Sequence, residues 1–170
     1  MTREQRIVAV GAGSGVLVML AALFLLSRWL PGLIEGAEAG ERLAFAARWN
    51  ALAALPLFIA IAAVGNQRFK SEAIDPTRGA ESRAMVIDGR VVDNTLQQYV
   101  MFAAANFSLS ASATGEQLGM VPAGALIFVA MRVAFWIGYR TDPLSRAFGM
   151  AGTSYLSLVL FSYSVLLAWT

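Results

Sequence analysis

The sequence contains no cysteine and no histidine. Without cysteine there is no disulfide, no thiolate metal site and no cysteine nucleophile. Without histidine the commonest metal ligand is gone, and with it the side chain that titrates most readily near neutral pH. Acid–base chemistry is left to tyrosine, a carboxylate or the substrate, and no metal is expected. Charge is also scarce. Only 14% of the 170 residues are charged, against about 25% in a soluble domain, too few to coat a globule. The net charge is +2 and the basic residues are dispersed, so there is no nucleic-acid footprint. What the chain holds in excess is apolar: 58% of its residues are hydrophobic and its mean hydropathy is +0.62.

A bilayer-spanning helix needs about 20 largely apolar residues. Five segments qualify: Ile7 to Ser27, Leu43 to Val64, Asn94 to Ala113, Gly119 to Tyr139 and Ala147 to Trp169. The first has no charge at all. Arg3 and Arg6 precede it in the manner of a signal peptide, but the apolar run exceeds a typical h-region and Ser27-Arg28-Trp29 is a poor cleavage site, so a retained helix is expected. The second carries Arg48 and Asn50, assigned to structure, and Pro56, whose freed carbonyl neighbouring helices can satisfy. The third is the most polar.

Lysine and arginine set the orientation. The N-terminal stub holds Arg3 and Arg6, and residues 31 to 42 are mainly acidic, with Glu35, Glu38 and Glu41 and with Arg42 at the end. Residues 65 to 93 hold Arg68, Lys70, Arg78, Arg83 and Arg90; 114 to 118 hold none; 140 to 146 hold Arg140 and Arg146. This alternation is what five spans with a cytoplasmic N-terminus require. The connection 65 to 93 is the long one, and its Ile74 to Gly79 and Asp88-Gly89-Arg90 pieces are turn-forming. No acidic residue lies within a span and no inverted repeat is visible, which speaks against an ion-coupled transporter.

Gly11-Ala12-Gly13-Ser14-Gly15 looks like the opening of a dinucleotide fingerprint. That motif needs a strand before it and an acidic residue about 20 positions on. Here it lies inside an apolar run, so these small residues are expected to let helices approach closely.

Polar residues inside spans mark function or interhelical contact. Arg90, Asn94 and Gln97 follow i, i+4, i+7, and Arg132, Phe135 and Tyr139 follow i, i+3, i+7, each set on one helical face. Arg146 opens the last span. By the charge alternation all of them lie in the cytoplasmic leaflet or at its edge. Two readings are open. Arginines with amide donors suit a small anion bearing carboxylates, and an arginine or tyrosine beside a thiol stabilises thiolate. Equally, Arg90, Arg140 and Arg146 can anchor helix ends by snorkelling while Asn94 and Gln97 tie helices together. Arg132, about two turns inside, is the residue least suited to the second reading.

At these residues a family resemblance enters. Arg90-Val91-Val92-Asp93-Asn94-Thr95-Leu96-Gln97-Gln98 resembles the second-helix motif of the membrane-associated proteins in eicosanoid and glutathione metabolism (MAPEG), which place arginine, asparagine and glutamate at this spacing. Arg132 to Tyr139 is similar to the end of their third helix, and Leu144-Ser145-Arg146-Ala147-Phe148-Gly149 to the arginine that opens their fourth. The resemblance covers roughly residues 44 to 170. It implies an all-α integral membrane fold: a four-helix MAPEG-like bundle (41–170) plus one added N-terminal transmembrane helix with its acidic loop (1–40), five spans in total. It implies a homotrimer in membrane lipid, with glutathione as co-substrate between subunits in the cytoplasmic half, and a small lipophilic electrophile or hydroperoxide arriving from the bilayer. The expected membrane is a bacterial inner membrane. The expected activity is that of a glutathione-dependent transferase or peroxidase. Arg90 and Asn94 would then hold glutathione, with Gln97 at the third motif position and Arg132 supporting the site from within the membrane. Tyr139 would position glutathione and Arg146 would polarise its thiol. Two departures stand out. Gln97 replaces the glutamate, and Phe135 stands where many members have tyrosine or histidine. Both remove polar contacts, and they motivate the alternative of a non-catalytic relative serving as an assembly subunit or lipid-binding module.

Overall fold

The computed structural model describes residues 1–30, 32 and 36–169; Glu35 of the acidic connection lies outside them. Thr2 opens the first helix, α1 (Arg3–Trp29), with a capping box: its hydroxyl accepts from the Gln5 amide at 3.2 Å, and the Gln5 side chain accepts from the Thr2 amide at 2.8 Å. The second span is two helices, α2 (Ala39–Ala53) and α3 (Leu55–Phe69). Pro56 has no N–H to offer the carbonyl one turn back, which breaks the ladder at Ala54. The two together form one stretch of 31 residues.

The long connection is shorter than the sequence suggests. Residues 65 to 69 belong to α3, and α4 (Arg83–Ser112) begins with Ser82, whose hydroxyl accepts from the Met85 amide at 3.3 Å. Asp88-Gly89-Arg90 is therefore helical rather than a turn, because the cap and a buried ion pair at Asp88 outweigh the local preference of Asp-Gly. Between the helices, Glu72–Ile74 and Pro76–Arg78 form single 3₁₀ turns. Asp75 caps the second of these. The Thr77 hydroxyl at 2.6 Å, the Thr77 amide at 3.0 Å and Arg78 hold its carboxyl below the usual range. A 3₁₀ turn, Gly115–Gly119, leads into α5 (Met120–Thr141), and α6 (Ala147–Ala168) follows.

With α2 and α3 taken as one unit, the helices alternate in direction. Small residues allow backbones to touch, which is how helices associate where lipid removes the hydrophobic drive between them. A Cβ on Gly15 of α1 would lie 2.2 Å from the Phe148 carbonyl oxygen of α6, and one on Gly149 would lie 2.3 Å from the Met131 oxygen of α5. Polar contacts set the register. Gln98 accepts from Ser154 at 3.2 Å and Ser164 donates to Ser108 at 3.0 Å, so α4 and α6 run parallel. At one end Ser110 donates to the Arg42 carbonyl at 2.6 Å, and Asn106 donates to Asn50 at 2.9 Å. That assigns Asn50 to α2–α4 packing, while Arg48 is exposed. The opposite end gathers the N-terminus, residues 70–82 and residues 142–146.

Among the described residues, four segments are long and apolar enough to cross a membrane: Arg3–Trp29, Ala39–Phe69, Gly115–Thr141 and Ala147–Ala168. Helix α4 has 30 residues, about 45 Å of length, and lies against α2, α3, α5 and α6. It carries two stripes of 3,4-spaced positions. Asp88, Val91, Thr95, Gln98, Phe102, Ala105 and Leu109 are buried, whereas Val86, Arg90, Asp93, Gln97, Val100, Ala104 and Phe107 are exposed.

Candidate functional site

The polar residues of α4, α5 and α6 converge at the end that holds 142–146. Arg132 is 1% exposed, and its Nη1 donates to Asn94 Oδ1 at 2.9 Å. Its guanidinium lies 4.0 Å from the centre of the Phe135 ring. Its Nε and Nη2 are buried and have no partner among the described residues. Phe135 meets Tyr139 edge to face at 5.7 Å, and the Arg146 guanidinium lies 4.9 Å from the Tyr139 ring. Asn94, Arg132, Phe135, Tyr139 and Arg146 thus form one unbroken line of contacts.

Local geometry delivers Arg146 to that line. A Cβ on Gly138 would lie 2.8 Å from the Ser145 oxygen, so only glycine lets the connection fold back against the last turn of α5. Asp142 then organises the turn, its carboxylate accepting from the Leu144 amide at 3.0 Å and its carbonyl from the Ser145 amide at 2.8 Å. Arg146 stands at the N-cap of α6 and donates to the Pro143 carbonyl at 2.7 Å. The adjacency of Gly138-Tyr139 in sequence therefore has a steric reason.

The remaining candidates lie apart. Arg90 and Gln97 are exposed on the outer stripe of α4, and their side chains make no hydrogen bond or ion pair among the described residues. Arg90 borders a groove of about 410 Å³ between α3 and α4, which also touches Asp93, Arg68 and Glu81; the last two pair at 2.6 Å. Phe135 is 1% exposed and contributes packing. Among the described residues no group of three or more His, Cys, Asp or Glu is placed to hold a metal.

One feature escaped the reading of the sequence. Asp88 is fully buried. Its carboxylate accepts from Gln67 of α3 at 2.6 Å, from the Trp136 indole at 2.8 Å and from Arg140 Nε at 2.8 Å, and Arg140 Nη2 adds a further close ion pair. This knot ties three helices together beside Tyr139. Its signal was present: Asp88 stands three residues before Val91 and seven before Thr95, in register with the buried stripe of α4. Reading Asp-Gly as a turn concealed it.

The family model described as the MAPEG family matches residues 46–166. The chain belongs to the MAPEG family. It is an all-helical membrane protein of the family associated with glutathione and eicosanoid metabolism, and α1 precedes the matched stretch. No curated protein and no solved structure matches the chain. MAPEG membership spans every residue of the contact line from Asn94 to Arg146, and Asp88 as well.

Proposed function

We propose that this MAPEG protein is a glutathione-dependent transferase or peroxidase acting on lipophilic electrophiles or hydroperoxides. The observation that carries the reading is Arg132, a buried guanidinium with two unpartnered nitrogens, Nε and Nη2, in line with Asn94, Tyr139 and Arg146. A buried cation is costly unless an anion meets it. A tripeptide with two carboxylates and an ionisable thiol offers such an anion. Asn94, Arg90 and Arg132 bind the peptide, Tyr139 orients it, and Arg146 stabilises the thiolate electrostatically. With no histidine in the chain, the thiol proton leaves to solvent and the guanidinium lowers the cost of losing it. The thiolate sulfur then bonds to the electrophilic carbon, and the leaving group departs with the electron pair.

The outer stripe of α4 supports a homotrimer with the site between subunits. Arg90 and Asp93 stand on that stripe without an ion-pair partner among the described residues. Unpaired charges beside the exposed apolar positions Val100 and Phe107 suit a surface that a second copy covers and pairs. The dense arginine and lysine content of the site's end orients it to the cytoplasm.

Detergent-purified protein is expected to retain glutathione, to show the ultraviolet rise of a thiolate on titration, and to conjugate an aryl halide. No binding and no turnover across several electrophiles would remove the reading. The second reading, a non-catalytic assembly subunit or lipid-binding module, draws on Gln97 and on Phe135, which offers the line a ring in place of a hydroxyl. Bound lipid in place of glutathione in the purified protein would favour it.

A further inference from the structure

Helix α1 precedes the residues matched to the MAPEG family, yet it touches the backbone beside the residue assigned to the thiol. Its buried face is short and regular: Gly15, Met19 and Leu23, four residues apart, with Gly11 one turn earlier. A Cβ on Gly11 would stand 3.4 Å from the Ala147 side chain, and one on Gly15 would stand 2.2 Å from the Phe148 oxygen. Ala147 and Phe148 are the first two residues of α6, immediately after Arg146 at its N-cap. From the other side, a Cβ on Gly149 would lie 2.5 Å from the Phe135 amide nitrogen of α5. The first turn of α6 is therefore gripped between two helix backbones with no side chain to cushion either contact. A clamp of this kind transmits displacement directly, because close-packed backbones have no rotamers to absorb it. Gly13, two residues away, meets nothing within 4 Å.

From this geometry we infer that α1 is a positioning element for Arg146, with Gly15 as the positioning residue: it sets where the guanidinium sits relative to Tyr139 and so sets the acidity of the bound thiol. The inference rests on the glutathione reading above. Gly15→Ala forces α1 away from Phe148 or drags α6 with it, and the guanidinium moves in either case. Arg90, Asn94 and Arg132, assigned to binding the peptide, lie on α4 and α5 and not on α6, so the displacement of α6 falls first on the thiol.

The test is the pH titration of thiolate absorbance in the purified, glutathione-loaded full chain, with glutathione affinity and thermal midpoint measured beside it. Gly15→Ala is expected to raise the apparent thiol pKa by about one unit with affinity unchanged, and Gly11→Leu is expected to raise it less. Gly13→Leu is expected to change nothing. Gly119→Ala supplies the structural control, since its Cβ would lie 2.4 Å from the Ser27 oxygen at the far end of α1. It is expected to lower the thermal midpoint and leave the thiol pKa in place. An unchanged pKa in both Gly15→Ala and Gly11→Leu overturns the inference. So does an equal shift in Gly119→Ala, which would make α1 a global stabiliser only. If the unaltered protein forms no thiolate, the glutathione reading falls and this inference with it. Thiolate in the unaltered protein with no shift in the variants removes only the role of α1.

Discussion

Two buried charges lie in the same seam between α4 and α5, and they are treated in opposite ways. Asp88 receives hydrogen bonds from Gln67 and Trp136 and a two-pronged ion pair from Arg140. The Arg132 side chain makes one hydrogen bond, to a neutral amide, and leaves two nitrogens, Nε and Nη2, without a partner among the described residues. The first is a closed network whose members satisfy one another, and nothing is left for a ligand. The second is an open one, held in place by Asn94 and Phe135 and short of an anion. Saturation marks the structural charge, and deficiency marks the candidate for binding.

The largest effect is expected from opening the closed network. Asp88→Ala strands Trp136 and Gln67 and frees Arg140, which is half-exposed and can turn to water. The expected loss is about 3 kcal/mol, at the low end for breaking a buried pair, read as a lowered thermal midpoint in detergent. A midpoint equal to that of the unaltered chain would make the knot ornamental. Next comes Arg146→Ala, expected to reduce turnover about 100-fold, the size of one lost electrostatic donor, with the protein still assembled. Turnover retained within a few-fold would remove Arg146 from the chemistry.

The comparison is sharpened by Arg132→Met, which keeps volume and removes charge. Stability is expected to hold or rise, because burying an apolar side chain avoids the desolvation of a guanidinium. Glutathione affinity is expected to drop about tenfold, or about 1.4 kcal/mol. A large loss of stability would instead place Arg132 with Asp88 as a structural charge. The smallest effect is expected for Gln97→Glu, which restores a carboxylate facing the amino group of glutathione on an exposed stripe. A gain of up to about threefold, within the range of an exposed ion pair, is expected from calorimetric titration. Weaker binding would show that the ligand does not present an ammonium there.

Much of this organisation could be read from the residues, and the failures have physical causes. The charge-free run from Ile7 to Ser27 lies entirely within α1, and the glycines at 11 and 15 do make a close helix approach. Arg132 stands out in the sequence because an unpaired charge two turns deep is expensive wherever it lies, and it shares its helical face with Phe135 and Tyr139. The helical start at Arg83 and the Asp88 knot were not legible. Asp-Gly prefers a turn locally, and only partners from α3 and α5, 21 and 52 residues away in the chain, reverse that preference. Nor did periodicity separate Asn94, which faces Arg132, from Arg90 and Gln97, which face outward, since all three share one side of the helix.

By itself the sequence determined that the chain enters a membrane, roughly where it crosses, and which polar residues lie at one end. Hydropathy, charge placement and helical period are properties of neighbours along the chain, and they survive without any fold. The tertiary structure decided which of those polar residues have their needs met. Whether a buried charge is paired depends on what stands across its seam, and that is set by residues far away in the chain. Asp88 meets Gln67, Trp136 and Arg140 across its seam, and Arg132 meets Asn94.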